Sequence, residues 1–206
     1  MTVLDTASAT PRAPGRPREF DMDTALDKAI IVFTERGYHG TSIGDLSAAM
    51  GVTAGSLYKA FADKKAIFLA AFDRYKQVRN SLRDEAIAPG RNGRERIRLL
   101  LHFYADGAHG ENGRRGCLVV GAAVELALFD AEADARVARS QAGFEILFER
   151  LVREGQADGS IGAHIDPPVT AHLLYAVIQG MRVIGKSGQD FARALSIADA
   201  ALKILD

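Results

Sequence analysis

The chain is poor in the features that mark secreted and membrane proteins. Its 206 residues include one cysteine, Cys117, which excludes an internal disulfide framework and fits a reducing compartment. No run approaches 18 apolar residues, and residues 1–18 lack the apolar segment of a signal peptide. These absences predict a cytoplasmic protein that has no membrane partner.

Net charge and metal-ligand clusters are also lacking. The 26 Lys and Arg residues equal the 26 Asp and Glu residues, so no overall positive field favours nucleic acid. Any contact with DNA must therefore depend on local charge. The five histidines, at positions 39, 102, 109, 164 and 172, show no metal-ligand spacing. We expect neither a metal site nor a cofactor.

Strand signals are missing as well, because every apolar run has helical spacing. The sequence therefore predicts an all-α protein. We divide it into a disordered basic arm (1–18), a three-helix helix-turn-helix unit (19–63) and a larger helical body (64–206) that binds a ligand and dimerises. The first four predicted helices cover about 22–36, Ser42 to Gly51, Thr53 to Phe61 and Asp63 to about Ala86. The later helices are predicted at 93–106, 116–129, 132–156, 167–186 and 189–205. Glycine-rich loops are predicted at 107–116 and 155–168.

The stretch TSIGDLSAAMGVTAGSLYKAF, residues 41–61, carries the clearest motif. Ser42 and Asp45 form a capping-box pattern, and Gly51 suits the left-handed turn after a helix. The next helix exposes small side chains instead of long charged ones. A helix, a tight glycine turn and a second helix predict a helix-turn-helix, in which a bare surface lets the second helix approach bases in the major groove.

These residues give the chain its resemblance to the TetR family of transcriptional repressors. The matching positions are Ala29, Phe33, Gly37, Tyr38, Thr41, Ser42, Leu46, Gly51, Val52, Gly55, Leu57, Tyr58, Phe61 and Lys64. The resemblance implies a homodimer that binds a palindromic operator in double-stranded DNA through its front helices. It also implies that a small-molecule inducer binds the helical body and relieves repression.

The resemblance assigns roles to residues of the front unit. Thr41, Ser42, Tyr58 and Lys64 would contact phosphates, and Ala54, Gly55, Ser56 and Lys59 would face the groove, with Thr53 on the same exposed surface. Residues 53–65 hold three lysines and one aspartate, which gives a local positive field. The sequence departs from the family at Gly44 and Lys59, so the operator sequence stays open.

The residues of the arm and those of the body each have two possible interpretations. Arg16 and Arg18, beside prolines, resemble arms that enter an A·T minor groove, but a solvated tail is the alternative. In the body, we expect a dimer interface formed by Val169, Leu173, Ala176, Val177, Gly180 and Ile184. Pocket candidates are Tyr75, Phe103, Tyr104, Cys117, Phe144 and Phe148. Core packing is the alternative for both sets.

Cys117 is either a sensor thiol or a buried apolar residue. It stands at a predicted helix start near Arg114 and Arg115, and both features favour a thiolate. The apolar residues that follow it favour burial and an inert thiol.

The alternatives to a DNA-binding regulator are an enzyme and a helical binding or scaffold protein. An enzyme needs converging catalytic groups, whereas the acidic residues here are spread along helix surfaces. We therefore predict no enzymatic activity. The main alternative is a helical binding or scaffold protein whose front unit contacts another protein instead of DNA. Salt-dependent binding to DNA separates the alternatives, because phosphate neutralisation releases counterions.

Overall fold

A computed structural model describes residues 21–206. Over this range the all-α prediction is confirmed. The helices are α1 (Met22–Arg36), α2 (Ile43–Met50), α3 (Ala54–Ala60), α4 (Lys64–Ile87), α5 (Gly93–Asp106), α6 (Gly110–Arg115), α7 (Leu118–Glu125), α8 (Ala131–Asp158), α9 (Pro167–Lys186) and α10 (Phe191–Leu202), followed by a 3₁₀ turn (Lys203–Leu205). None of the helices formed by residues 21–206 combines the length and hydrophobicity needed to span a membrane.

Local signals set the ends of the front helices. The Ser42 side chain accepts a hydrogen bond from the Asp45 N–H, and Asp45 in turn accepts from the Ser42 N–H, so the predicted capping box is confirmed. Gly51 ends α2 with φ +70° and ψ +31°, a left-handed conformation that glycine adopts without strain. Thr53 then caps α3 by accepting the N–H of Ser56. The chain turns sharply between the two helices as a result.

Two apolar cores hold the helices together. One lies among α5, α8, α9 and α10 and includes Leu100, Phe148 and Leu174. The other joins α1, α2 and α3 to the first half of α4, to α7 and to the start of α8. Phe68 of α4 is buried against Phe33 of α1, with their ring centroids 5.0 Å apart. The second core therefore crosses the boundary that we drew at residues 63 and 64.

The predicted loop at residues 107–116 contains a helix instead. Gly113 of α6 packs so closely that a Cβ would lie 2.6 Å from the Ala108 carbonyl carbon and 3.1 Å from the Gly185 oxygen. An ion pair between Arg115 and Glu111 supports α6 on its outer side. Gly113, one of the glycines that predicted a loop, is thus needed for close helix packing.

Two other predicted helices are shorter than expected. The helix predicted at 116–129 spans Leu118–Glu125 only, and residues 126–129 form a turn. Asp130 follows this turn and caps α8 by accepting the N–H groups of Glu132 and Ala133. The last predicted helix, 189–205, begins at Phe191 and tightens to 3₁₀ geometry from Lys203.

Candidate functional site

The outward surface of α3, together with its cap Thr53, carries five of the eleven residues predicted to contact DNA. Thr53, Ala54, Gly55, Tyr58 and Lys59 are all exposed, and Tyr58 is 58% accessible. No side chain longer than alanine stands on the first turn of this surface at Ala54 and Gly55. The helix backbone is therefore free to come close to a flat or grooved partner.

Two predicted contacts lie inside the unit instead of on its surface. Thr41 is 2% exposed, and its hydroxyl donates to the Gly37 carbonyl at 2.7 Å. Ser56 is 8% exposed, and its hydroxyl oxygen accepts from the Thr53 hydroxyl at 3.1 Å. Burial corrects the assignment of both side chains to the DNA surface: they hold the loop and the turn that present Ser42 and Thr53, which are exposed.

Lys64, at the start of α4, has an internal role that the sequence did not suggest. Its ammonium donates to the carbonyls of Tyr38 at 2.8 Å and Thr41 at 2.9 Å, and lies 4.2 Å from the centre of the Tyr38 ring. An ammonium has three donors, so one remains for a phosphate. Arg16 and Arg18 lie outside the described residues, and their contacts stay a prediction.

A small cavity lies in the helical body, between α4, α5, α7, α8 and α9. It has a volume of about 20 Å³, enough for one water molecule. Four of the six predicted pocket residues line it together: Tyr75, Tyr104, Cys117 and Phe144. The remaining lining residues are Lys76, Arg79, Val119, Ser140, Tyr175, Ile178, Gln179 and Arg182.

The other two predicted pocket residues lie elsewhere. Phe148 is completely buried in the core of the body and does not line the cavity. Phe103 lines a neighbouring cleft of about 220 Å³ that extends to Ile30 and Ile31 of α1. Tyr75, Arg79 and Arg182 line both the cavity and the cleft, so Phe103 belongs to an adjoining space.

The site contains a buried arginine that the sequence did not predict. Arg182 of α9 is 6% exposed, and its guanidinium donates to the carbonyls of Gly107 and Gly116 and to the Tyr75 hydroxyl, the last at 3.1 Å. Its Nε makes no hydrogen bond among the described residues. The signal available in the sequence was weak: an arginine three residues after Gln179, on the buried side of an otherwise apolar helix.

Cys117 directly precedes α7 and lies at the edge of the cavity. The Tyr75 hydroxyl donates to its sulfur over 3.5 Å. Burial raises the pKa of the Cys117 thiol. The Arg182 charge, the Tyr75 hydroxyl and nearby backbone N–H groups lower this pKa by more than burial raises it, so the pKa lies below its ordinary value. The guanidinium close to the thiol is therefore that of Arg182; Arg115, which we expected, pairs with Glu35 and Glu111.

The predicted dimer residues occupy the outer face of α9. Val169 is 63% exposed, and Leu173, Ala176 and Ile184 are exposed as well, while Val177 and Gly180 are half-buried. Ile146 of α8 adds another exposed apolar side chain, at 68%. The surface of α9 at Gly180 is open, since a Cβ there would meet no atom of residues 21–206 within 4 Å.

Polar contacts connect α6, α7 and the end of α9 to the front unit. Lys186 of α9 donates to the Thr34 carbonyl of α1 at 3.2 Å. The Glu125 carboxylate at the end of α7 accepts the His39 N–H at 3.1 Å. Arg115 of α6 lies 3.5 Å from the Glu35 carboxylate. A shift of α6, α7 or the end of α9 would therefore act directly on α1 and on the turn before α2.

Comparison with known proteins identifies the family. The model of bacterial regulatory proteins of the tetR family matches residues 25–71, and the model of the tetracyclin repressor-like C-terminal domain matches residues 93–195. The chain belongs to the TetR family. It is thus a DNA-binding transcriptional regulator, with a helix-turn-helix in its first third.

Relatives in the TetR family resemble the chain over three quarters of its length or more. It is 29% identical to the HTH-type transcriptional repressor ComR of Escherichia coli (strain K12), over 98% of this chain and 97% of ComR. The repressor DhaR of Mycobacterium sp. (strain GP1) is 30% identical, over 75% of this chain and 77% of DhaR. A solved structure of the TetR-family regulator CifR, a cysteine mutant complexed with 26bp double-strand operator DNA, is 32% identical with a TM-score of 0.81, over 91% of this chain and 98% of CifR.

Proposed function

We propose that this TetR-family regulator is a repressor that binds a palindromic operator as a homodimer and releases it when a small molecule enters the cavity of the body. The observation that carries the proposal is the exposed small-residue surface of α3 at Ala54 and Gly55, flanked by Tyr58 and Lys59. Such a surface fits the major groove, where a helix approaches base edges. CifR, at 32% identity, has been solved with operator DNA bound.

The proposed DNA surface consists of Ser42, Thr53, Ala54, Gly55, Tyr58, Lys59 and Lys64. Ser42, Tyr58 and Lys64 would contact phosphates, which fixes the position of the unit on the duplex. Lys59 would reach base edges or a phosphate in the groove. Arg16 and Arg18 would add minor-groove contacts on A·T-rich flanks.

The proposed dimer interface is the apolar outer face of α9 together with the exposed side of α8. Val169, Leu173 and Ile184 leave apolar area in water that a second copy would bury. Two copies related by a two-fold axis would present two α3 helices to successive major grooves on one side of the duplex. The operator would then be an inverted repeat.

Release requires a path from the cavity to α3. Cys117 and Val119 of α7 line the cavity, and Glu125 at the other end of α7 holds the His39 N–H before α2. A ligand that repacks α7 would therefore change the position of the front unit. Binding would shift the protein toward a form with lower affinity for the operator.

We also propose the division into a DNA-reading unit up to residue 63 and a ligand-binding and dimerisation body after it, with no enzymatic role. Because the partner would be chromosomal DNA, the protein would work in the cytoplasm. A front unit that contacts a protein instead of DNA is the outcome that a binding test must exclude.

Fluorescence anisotropy with labelled DNA from upstream of the protein's own gene tests the proposal. Lys59→Glu should abolish specific binding, because it reverses the charge at the centre of the proposed surface. Lys203→Glu makes the same change at an exposed position in the last turn of the chain and should bind normally. Equal DNA binding by the two variants would show that α3 does not contact the DNA.

A further inference from the structure

The cavity of the body is lined by three cationic side chains and by no carboxylate of residues 21–206. Lys76 and Arg79 come from α4 and Arg182 from α9, and the remaining lining residues are aromatic, apolar or uncharged polar. No Asp or Glu among the described residues lies within 4.0 Å of these three cationic groups. Asp106 lines the adjoining cleft together with Arg79 and Arg182, but its carboxylate pairs with His109, at 3.6 Å. Positive charge has thus been brought into a partly enclosed space without a carboxylate in contact with it, which costs free energy unless an anion joins it.

The two guanidinium groups also have unused donors. Arg182 donates to two carbonyls and to the Tyr75 hydroxyl, and its guanidinium also lies beside the Cys117 thiol. Its buried Nε has no partner among the described residues. Arg79 lies 4.4 Å above the Phe103 ring, and its buried Nη2 is likewise without a partner in that range. Unsatisfied guanidinium donors are the groups that carboxylates bind.

Cys117 does not remove this imbalance. If its thiol ionises beside Arg182, it supplies one negative charge, so two of the three positive charges still lack a partner. Lys76 lies 5.1 Å from the centre of the Phe144 ring, a contact that stabilises a cation weakly but does not neutralise it. The site keeps a net positive charge in either state of the thiol.

We propose that this cavity recognises a small monocarboxylate, held by Arg182, Arg79 and Lys76 against the aromatic rings of Tyr104, Phe144 and Tyr175. The inference rests on the proposed function, since it names the chemical class of the inducer. A carboxylate satisfies the unused N–H donors and the charge together. An uncharged molecule of the same shape leaves both unsatisfied, so the site discriminates by charge.

The size of the cavity links binding to a change of shape. A volume of about 20 Å³ is far below the ~150 Å³ that holds benzene in an apolar cavity. A carboxylate with an apolar body must therefore widen the space by moving α4, α7 or α9. Arg182, which binds the Gly107 and Gly116 carbonyls on either side of α6, is the group that would have to turn first.

A paired-compound thermal shift on the full chain tests the inference. The probes are sodium acetate, butanoate and benzoate, each compared with its amide at equal ionic strength and pH 7. We expect at least one carboxylate to raise the Tm in a saturable way, while its amide does not. The inference is overturned if no carboxylate raises the Tm, or if the amides stabilise the protein equally.

Matched variants assign the effect to the cavity. Arg79→Met and Lys76→Met remove charge without breaking a hydrogen bond between described residues, and each should weaken carboxylate binding at least about tenfold. Arg98→Met removes an exposed arginine of α5 and should bind like the unchanged protein. Unchanged affinity in both cavity variants would contradict the inference even if Arg182 variants fail to fold.

A separate measurement distinguishes this inference from the proposed function. The carboxylate that binds is added to the protein–DNA complex, and release is followed by anisotropy. If the carboxylate binds but DNA stays bound, the anion site stands and the inducer role fails. If the protein binds the carboxylate but no DNA, the proposed function fails while the site stands.

Discussion

The Tyr75 hydroxyl donates to the Cys117 sulfur over 3.5 Å and accepts from Arg182 at 3.1 Å on its other side. The three residues come from α4, the start of α7 and α9. This chain of contacts joins a buried positive charge to the single thiol of the protein. It gives Cys117 a chemical environment that the apolar residues after it did not suggest.

Thiol reactivity follows from that environment. We expect Cys117 to alkylate with an apparent pKa below the usual value of about 8.5, because Arg182 and the Tyr75 hydroxyl favour the thiolate. Tyr75→Phe removes the hydroxyl and should raise the alkylation pKa. The pH dependence of iodoacetamide labelling measures both, with Cys117→Ser as the unlabelled control. A value at or above 8.5 in the unchanged protein would make Cys117 an ordinary packing residue.

Lys76 should make stability depend on alkaline pH. Burial, aided by the Arg83 charge, lowers the pKa of Lys76 from 10.5 to about 8. Between pH 8 and 10.5 the unfolded chain therefore holds a proton that the folded chain has lost, and the contribution of Lys76 to stability rises with pH. The free energy of unfolding of the unchanged protein should rise relative to Lys76→Met across this window, measured with urea at several pH values. If the free energy of unfolding depends on pH in the same way in both proteins, the Lys76 ammonium is solvated and its pKa is not lowered.

Gly180→Leu should separate assembly from folding. A Cβ added at Gly180 meets no atom of the described residues of the single chain within 4 Å, so we expect the folded subunit to tolerate leucine. In a dimer that packs through α9, the added side chain would push the helices apart, and DNA affinity would fall with the loss of the dimer. Sedimentation at micromolar concentration measures this, with Gly121→Leu, at an equally open helix position of α7, as the control. A fully dimeric Gly180 variant would place the interface elsewhere.

Lys64→Ala should lower both stability and DNA affinity. Its ammonium holds the carbonyls of Tyr38 and Thr41, and loss of hydrogen bonds to a charged group costs about 1.5–3 kcal/mol. Its remaining donor would contact a phosphate, so the slope of log affinity against log salt should fall by about one. Lys59→Ala should reduce affinity without lowering the Tm, because Lys59 is exposed on α3. An unchanged salt slope in Lys64→Ala would leave that residue with its structural role alone.

Local chemistry explains what the sequence predicted well. The capping pair Ser42 and Asp45 and the turn at Gly51 depend on neighbouring residues in the chain, so their spacing alone located α2 and the turn. Burial of Thr41 and Ser56 depends on packing between helices, which the signature does not encode. Arg79 and Arg182 were missed for the same reason: a charged residue in an amphipathic helix is usually exposed, and only the tertiary structure turns these two inward.

Selection from a random-sequence DNA library with the purified full-length protein tests the central claim most directly. We expect the bound pool to converge on an inverted repeat, with two half-sites about one helical turn apart, one for each α3 of the dimer. Convergence on a single asymmetric half-site, or a pool without any enriched sequence, would contradict a homodimeric repressor that reads its operator through α3.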